Sequence, residues 1–160
     1  MQIGDFWQSY LRSLPETHGN DGRTSPAAWA FGDSEQMADE LGALVIQGTK
    51  TATCSLLWEY ESGGDPMPET GELSIITDGK NNPLCLIETT EVMIRPFNTV
   101  DAVFAYDEGE GDRTLAYWRE VHWRYFGRMC ETIARTLDQT MPLVCERFRV
   151  IFCASEGSEP

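Results

Sequence analysis

Positive charge is scarce in this sequence: 12 lysines and arginines stand against 26 aspartates and glutamates, for a net charge of −14. A chain this acidic repels a polyanion unless its few cations converge. That argues against a general DNA or RNA coat and permits a small neutral substrate such as a nucleoside. Histidine is scarcer still. His18 and His122 lie far apart in sequence, so a Ser/His/Asp arrangement is poorly supported. The five cysteines (54, 85, 130, 145 and 153) are odd in number and form no C-x-x-C pair. Neither a zinc cluster nor a disulfide framework is expected from them, and reduced thiols in a cytoplasmic protein are the simpler account. Also missing are a G-x-S-x-G elbow, a G-x-x-x-x-G-K-[ST] loop, an H-E-x-x-H pair and a calcium loop. No apolar run reaches the roughly 18 residues that a membrane span needs. The stretch Met1–Trp7 has neither the basic region nor the apolar core of an export signal. The expectation is a cytoplasmic protein that uses no metal and no cofactor.

What is present suits a single folded domain. The 160 residues are 41% hydrophobic and 11% aromatic, enough for a core. Ile3, Phe6, Trp7, Tyr10, Leu11 and Leu14 form a helical stripe that Pro15 stops. Turn formers fill 16–26. Asp33 with Gln36 reads as a capping box, and Met37, Leu41, Leu44 and Val45 give a helix over 34–47 that Gly48 ends. The next stretch, 52–61, has Leu56, Leu57 and Tyr60 at helical spacing and is expected to be a helix, although its Thr-rich start also suits a strand. Strands are expected over 72–78 and 84–95, the second with Leu84, Leu86, Glu88, Thr90, Val92 and Ile94 sharing a face. A short helix over 99–106, an acidic glycine-broken loop 107–112, a long helix over 114–137 and a final alternating strand from Pro142 follow. Helices in both halves around non-adjacent strands indicate an α+β domain with an antiparallel, barrel-like sheet.

The chemistry concentrates in Gly48-Thr-Lys-Thr-Ala-Thr-Cys-Ser-Leu56, where hydroxyls recur around one lysine. If a helix begins near Thr51, Lys50 and Thr53 lie one turn apart at its N-terminus, where unpaired N–H groups favour developing negative charge. The loop 107–112 can supply a carboxylate from Glu108, Glu110 or Asp112. Glu88 shares a strand face with Thr90 and four apolar residues, which places it either at a site or at a barrel mouth. His122 lies on the apolar side of the long helix and reads as a satisfied core residue. A Lys, Thr and Glu trio suits acyl transfer to water: the hydroxyl attacks, the amine takes its proton, and the carboxylate orients.

Three segments taken in order carry a resemblance. Phe31-Gly-Asp-Ser34, Gly48–Glu61 and Glu108-Gly-Glu-Gly-Asp-Arg-Thr-Leu-Ala-Tyr-Trp-Arg119 resemble the ASCH domain family, in its longer bacterial branch. The resemblance implies a PUA-like antiparallel β-barrel surrounded by helices, with residues 28–153 as the domain, 1–27 packed on it and 154–160 a flexible tail. It opens two functional branches. Some short bacterial family members are amidohydrolases that remove the acyl group from N4-acetylcytidine and related N4-acylcytosines; other, longer members are described as RNA-binding proteins or ribonucleases. Carried over residue by residue, the first branch implies Thr53 as nucleophile and Lys50 as its activator, with Ser55 the alternative attacking hydroxyl. It implies a loop carboxylate as third member: ungapped alignment through Thr114 lands on Gly111, and Glu110 is taken, with Asp112 behind it. Phe31, Thr51, Ser55, Trp58, Glu88, Asp112, Arg113 and Tyr117 complete the expected substrate-binding set. The expected partner is an acylated pyrimidine nucleoside, with RNA as the alternative. The oligomeric state is not readable.

Overall fold

The computed structural model describes residues 1–18 and 22–154. Its elements are α1 (Ile3–Ser13), β1 (Ala28–Trp29), α2 (Glu35–Ile46), β2 (Ala52–Leu56), α3 (Leu57–Gly63), β3 (Leu73–Thr77), β4 (Pro83–Pro96), α4 (Ala102–Glu108), α5 (Leu115–Thr132) and β5 (Pro142–Cys153). The strands form one mixed sheet in the order β1-β3-β4-β5-β2. It is mixed because β1 runs parallel to β3, whereas β3–β4 and β2–β5 are antiparallel. The α+β class stands. The expected antiparallel barrel does not, because no pairing among the described residues joins β1 to β2 and closes the sheet. The expected tail lies, from residue 155 onward, outside the described residues.

Two compact units divide the chain. The first holds Met1–Gln47, Leu73–Glu88 and the chain from Val150; the second holds Gly48–Glu72 and Thr89–Arg149. In the first, the stripe on α1 buries Phe6 and Trp7 against Ile75 and Leu86. There α2 opens on Ser34, whose hydroxyl accepts the N–H of Met37. The cap expected at Asp33 is thus at Ser34, and the capping box is not formed, because the third helical residue is then Met37 and Gln36 bonds Glu40 instead. In the second unit, Ala52, Leu56, Leu143 and Cys145 of β2 and β5 share a core with Phe97, Phe104, Trp118 and Phe126.

Residues 52–61 depart most from expectation. Instead of one helix they form β2 and then α3. Ala52 to Leu56 pair residue for residue with Arg147 to Leu143, and these ladder bonds, with a β-branched threonine at 53, outweigh the helical spacing of the leucines. Along β4 the buried positions are Pro83, Cys85, Ile87 and Thr89, with Leu86 also buried, so Glu88 is half-buried and Thr90 exposed. The even-numbered face expected from alternation is therefore not the covered one. A stretch covered on both sides carries no informative alternation.

Candidate functional site

Lys50 belongs to the second unit, at the entry to β2. The Thr51 N–H donates to the Asp107 carbonyl at 2.8 Å, and Arg113 donates to Tyr106 O and Thr49 O. Helix α4 ends at Gly109 in the left-handed region (φ +76°), where an added Cβ would sit 2.6 Å from Thr49 O. Only glycine fits both demands. The end of α4 is thereby pressed against residues 49–51, which brings Glu108 to Lys50.

Beneath β2 the two meet in a buried charged cluster. Lys50 and Glu108 are 2% and 1% exposed. Lys50 Nζ lies 3.6 Å from Glu108 Oε1 and donates to the Glu108 carbonyl at 3.4 Å. Glu108 Oε2 accepts from the Trp118 indole N–H and lies 3.1 Å from His122 Nε2. Cys54 Sγ donates to the same oxygen at 3.7 Å. Helix α5, started by the Thr114 hydroxyl on Tyr117 N, puts Trp118 and His122 one turn apart with rings stacked at 4.4 Å. Burial by itself would raise the Glu108 pKa, but His122 and Lys50 outweigh it and hold the carboxyl below its usual range. Burial would likewise depress His122, and Glu108 overrides it and lifts the imidazole above its ordinary value. Cys54 goes the other way: burial, then Glu108, pushes its pKa well up, so the thiol stays protonated and is a poor nucleophile. Cys54, Glu108 and His122 bring ligand atoms within 4.8 Å of one another, a spacing that admits a metal ion. Lys50 already supplies the positive charge beside Glu108, and the raised thiol opposes ligation, so the donor set does not favour one.

Across β2 the chemistry differs. In an antiparallel pair, directly opposed residues project to the same side, and successive residues to opposite sides. Cys54 faces the charged cluster with Cys145, while Thr53 opposes Glu146 and Ser55 opposes Val144 on the other side. Ser55 Oγ and Tyr60 Oη are 2.8 Å apart. Glu146 hydrogen-bonds the Thr89 hydroxyl; burial, then Glu72, pushes its carboxyl up to about 7.

Of the expected site residues, then, Lys50 has a carboxylate partner, and it is Glu108. Glu110 lies beside His122 instead, its Oε2 3.7 Å from Nε2. Strand geometry, not a helical turn, separates Lys50 from Thr53. Thr51 Oγ1 donates to Asp107 O at 3.4 Å. Asp112 is exposed and accepts from the Thr114 N–H and hydroxyl ahead of α5. Arg113 stacks on Tyr106 at 3.5 Å, Trp58 lies beneath the Arg135 guanidinium at 4.8 Å, and Tyr117 is exposed. Phe31 and Glu88 belong to the first unit: Phe31 is buried in edge contact with Trp29, and Glu88 opposes Leu73. His122 is buried as expected, yet it joins the charged cluster rather than an apolar core. Sequence reasoning passed over Glu146, Thr89 and Tyr60. The available signal was Glu146 itself, a carboxylate between Val144 and Phe148 in the alternation of β5.

The family model for the ASCH domain matches residues 27–152. A crystal structure of a protein from Enterococcus faecalis V583, of the DUF984 family, is 39% identical with a TM-score of 0.85, over 96% of this chain and 90% of that one. The ASCH domain from Lactobacillus crispatus JV V101 is 33% identical with a TM-score of 0.86, over 94% of each chain. No curated protein matches the chain.

Proposed function

The chain belongs to the ASCH domain family, and on that premise we propose that it is an amidohydrolase that removes the acyl group from N4-acetylcytidine or a related N4-acylcytosine nucleoside. Thr53 supplies the attacking hydroxyl. The observation that carries this reading is the setting of Thr53: a half-buried hydroxyl on a strand, opposite a carboxyl and two residues from the Ser55–Tyr60 hydroxyl pair. A strand is a rigid support, and a nucleophile held in place converts a bimolecular attack into a positioned one.

Lys50 acts from beneath the strand. Paired with Glu108, it is a fixed cation three residues before the nucleophile, and it anchors the entry to β2. A positive charge in a dry interior stabilises negative charge developing nearby more than it would in water. Glu110 acts through His122, which it approaches to 3.7 Å, and not on Thr53. The net charge of −14 favours a neutral nucleoside over an RNA strand.

Release of cytidine from N4-acetylcytidine tests the reading. Turnover by the parent protein that Thr53→Ala abolishes is the expected result. Salt-dependent RNA binding by the parent, without acyl release, would replace it with a nucleic-acid role.

A further inference from the structure

The hydroxyl of Thr53 needs a proton acceptor, and Lys50 is turned toward Glu108 on the other side of the strand. We propose that Glu146 is a catalytic residue, the base that takes the Thr53 proton and returns it to the leaving amine. This inference rests on the hydrolase reading of Thr53 and adds to it the acceptor and the shape of its pH response.

Three observations meet at this carboxyl. The first is register: Thr53 and Glu146 are paired across β2 and β5, on the same side of the sheet. Opposed side chains in such a pair have Cβ atoms about 4.5–5.5 Å apart, within reach of a Glu carboxylate and a Thr hydroxyl. The second is orientation. The Thr89 hydroxyl, buried at 4% exposure, holds the Glu146 carboxyl. Thr89 is itself fixed by backbone bonds to Gly71 (2.7 Å) and Glu72 (2.9 Å). The third is charge. Glu146 opposes Thr53 of β2, is held by Thr89 of β4, feels the Glu72 carboxylate from the segment before β3, and bears in turn on the Tyr60 hydroxyl of α3. None of these is a cation. Burial and Glu72 therefore lift the carboxyl to about 7, so that near neutral pH it can both accept and return a proton. A surface carboxylate of ordinary pKa would be a far weaker base.

The steps balance. The Thr53 oxygen bonds to the acyl carbon as its proton passes to Glu146. The C–N bond to the exocyclic amine then breaks, and Glu146 gives the amine the proton, which leaves an acyl-threonine ester and cytidine. Water attacks the ester, Glu146 takes and passes on its proton, and the carboxylic acid departs with Thr53 restored.

The test uses p-nitrophenyl acetate, an activated ester that needs no nucleoside recognition, with the full-length protein. Mass spectrometry of acid-quenched samples should find acetyl on Thr53 in the parent, and the burst rate should rise with pH about a midpoint near 7. Glu146→Gln should slow the burst by roughly 100-fold or more, the usual contribution of a general base, and flatten its pH profile. Glu146→Asp should recover part of the rate. Thermal unfolding and circular dichroism establish that the variants fold. Acylation that is absent from the parent, or unaltered in rate and pH profile in a folded Glu146→Gln, would overturn the assignment. Acylation of Thr53 that needs Glu146, without turnover of N4-acetylcytidine, would uphold the pair and remove only the proposed substrate.

Discussion

At the scale of single residues, the second unit is fixed by one buried charge pair and one glycine. Replacing Lys50 by methionine leaves Glu108 with a dry carboxylate that has lost its ammonium partner. Breaking a buried pair from one side costs about 3–5 kcal/mol, so Lys50→Met should move the urea midpoint far down. Glu108→Gln, which removes the other charge, should restore part of that loss in the double variant. At Gly109, alanine meets both the positive φ and the Thr49 carbonyl. A residue held in a disfavoured backbone region costs about 1–3 kcal/mol, and Gly109→Ala should lose at least that much by denaturant unfolding. Glu146 gives stability a pH dependence of known sign. Its carboxyl is raised from 4.5 to about 7 in the folded chain, so between those values the native state holds more protons than the unfolded state. Stability from this group falls as pH climbs through the window and is level above it. His122, lifted by Glu108, acts in the same sense, losing its contribution as pH rises through its folded value. Calorimetric Tm should therefore fall between pH 5 and 8, and Glu146→Gln should flatten part of that slope.

At the scale of elements, legibility followed how local the determinants are. Helix α1 was readable because its stripe and its stop at Pro15 lie within one stretch of chain. Helix α2 was readable for the same reason, to within one residue of its cap. Strand β2 was not, because its bonds go to Leu143–Arg147, some ninety positions further on. That single misreading moved Thr53 from beside Lys50 to the far side of a strand. Helix α5 depends on Thr114, whose hydroxyl caps it and whose own hydroxyl proton and N–H are held by Asp112. Thr114→Ala should cost about 1 kcal/mol, the usual cost of removing an N-cap. If α5 frays at that end, Trp118 and His122 loosen from Glu108 and amide exchange in the first turn should quicken.

At the scale of the whole molecule, the charge balance and the missing metal motifs directed attention to side-chain chemistry before any element was assigned. Three ordered segments carried the ASCH resemblance, and the family match over 27–152 bears it out. The α+β class follows from helices and strands that alternate irregularly, whereas the open edge of the sheet depends on which strands meet, which no spacing encodes. The site was legible as a neighbourhood: Gly48–Ser55 and the 107–112 loop do meet. Which carboxylate joins Lys50 turned on where α4 stops, a matter of the two positions between Glu108, its last residue, and Glu110, past the Gly109 cap. Among the described residues no helix is long and apolar enough to cross a membrane.

The most direct measurement traps the acyl-enzyme. Parent protein mixed with N4-acetylcytidine, quenched in acid within the first turnover and digested, should yield the peptide containing Thr53 with an acetyl group on that residue. Cytidine released at full rate by Thr53→Ala, with no acetyl on any peptide of the parent, would contradict the account.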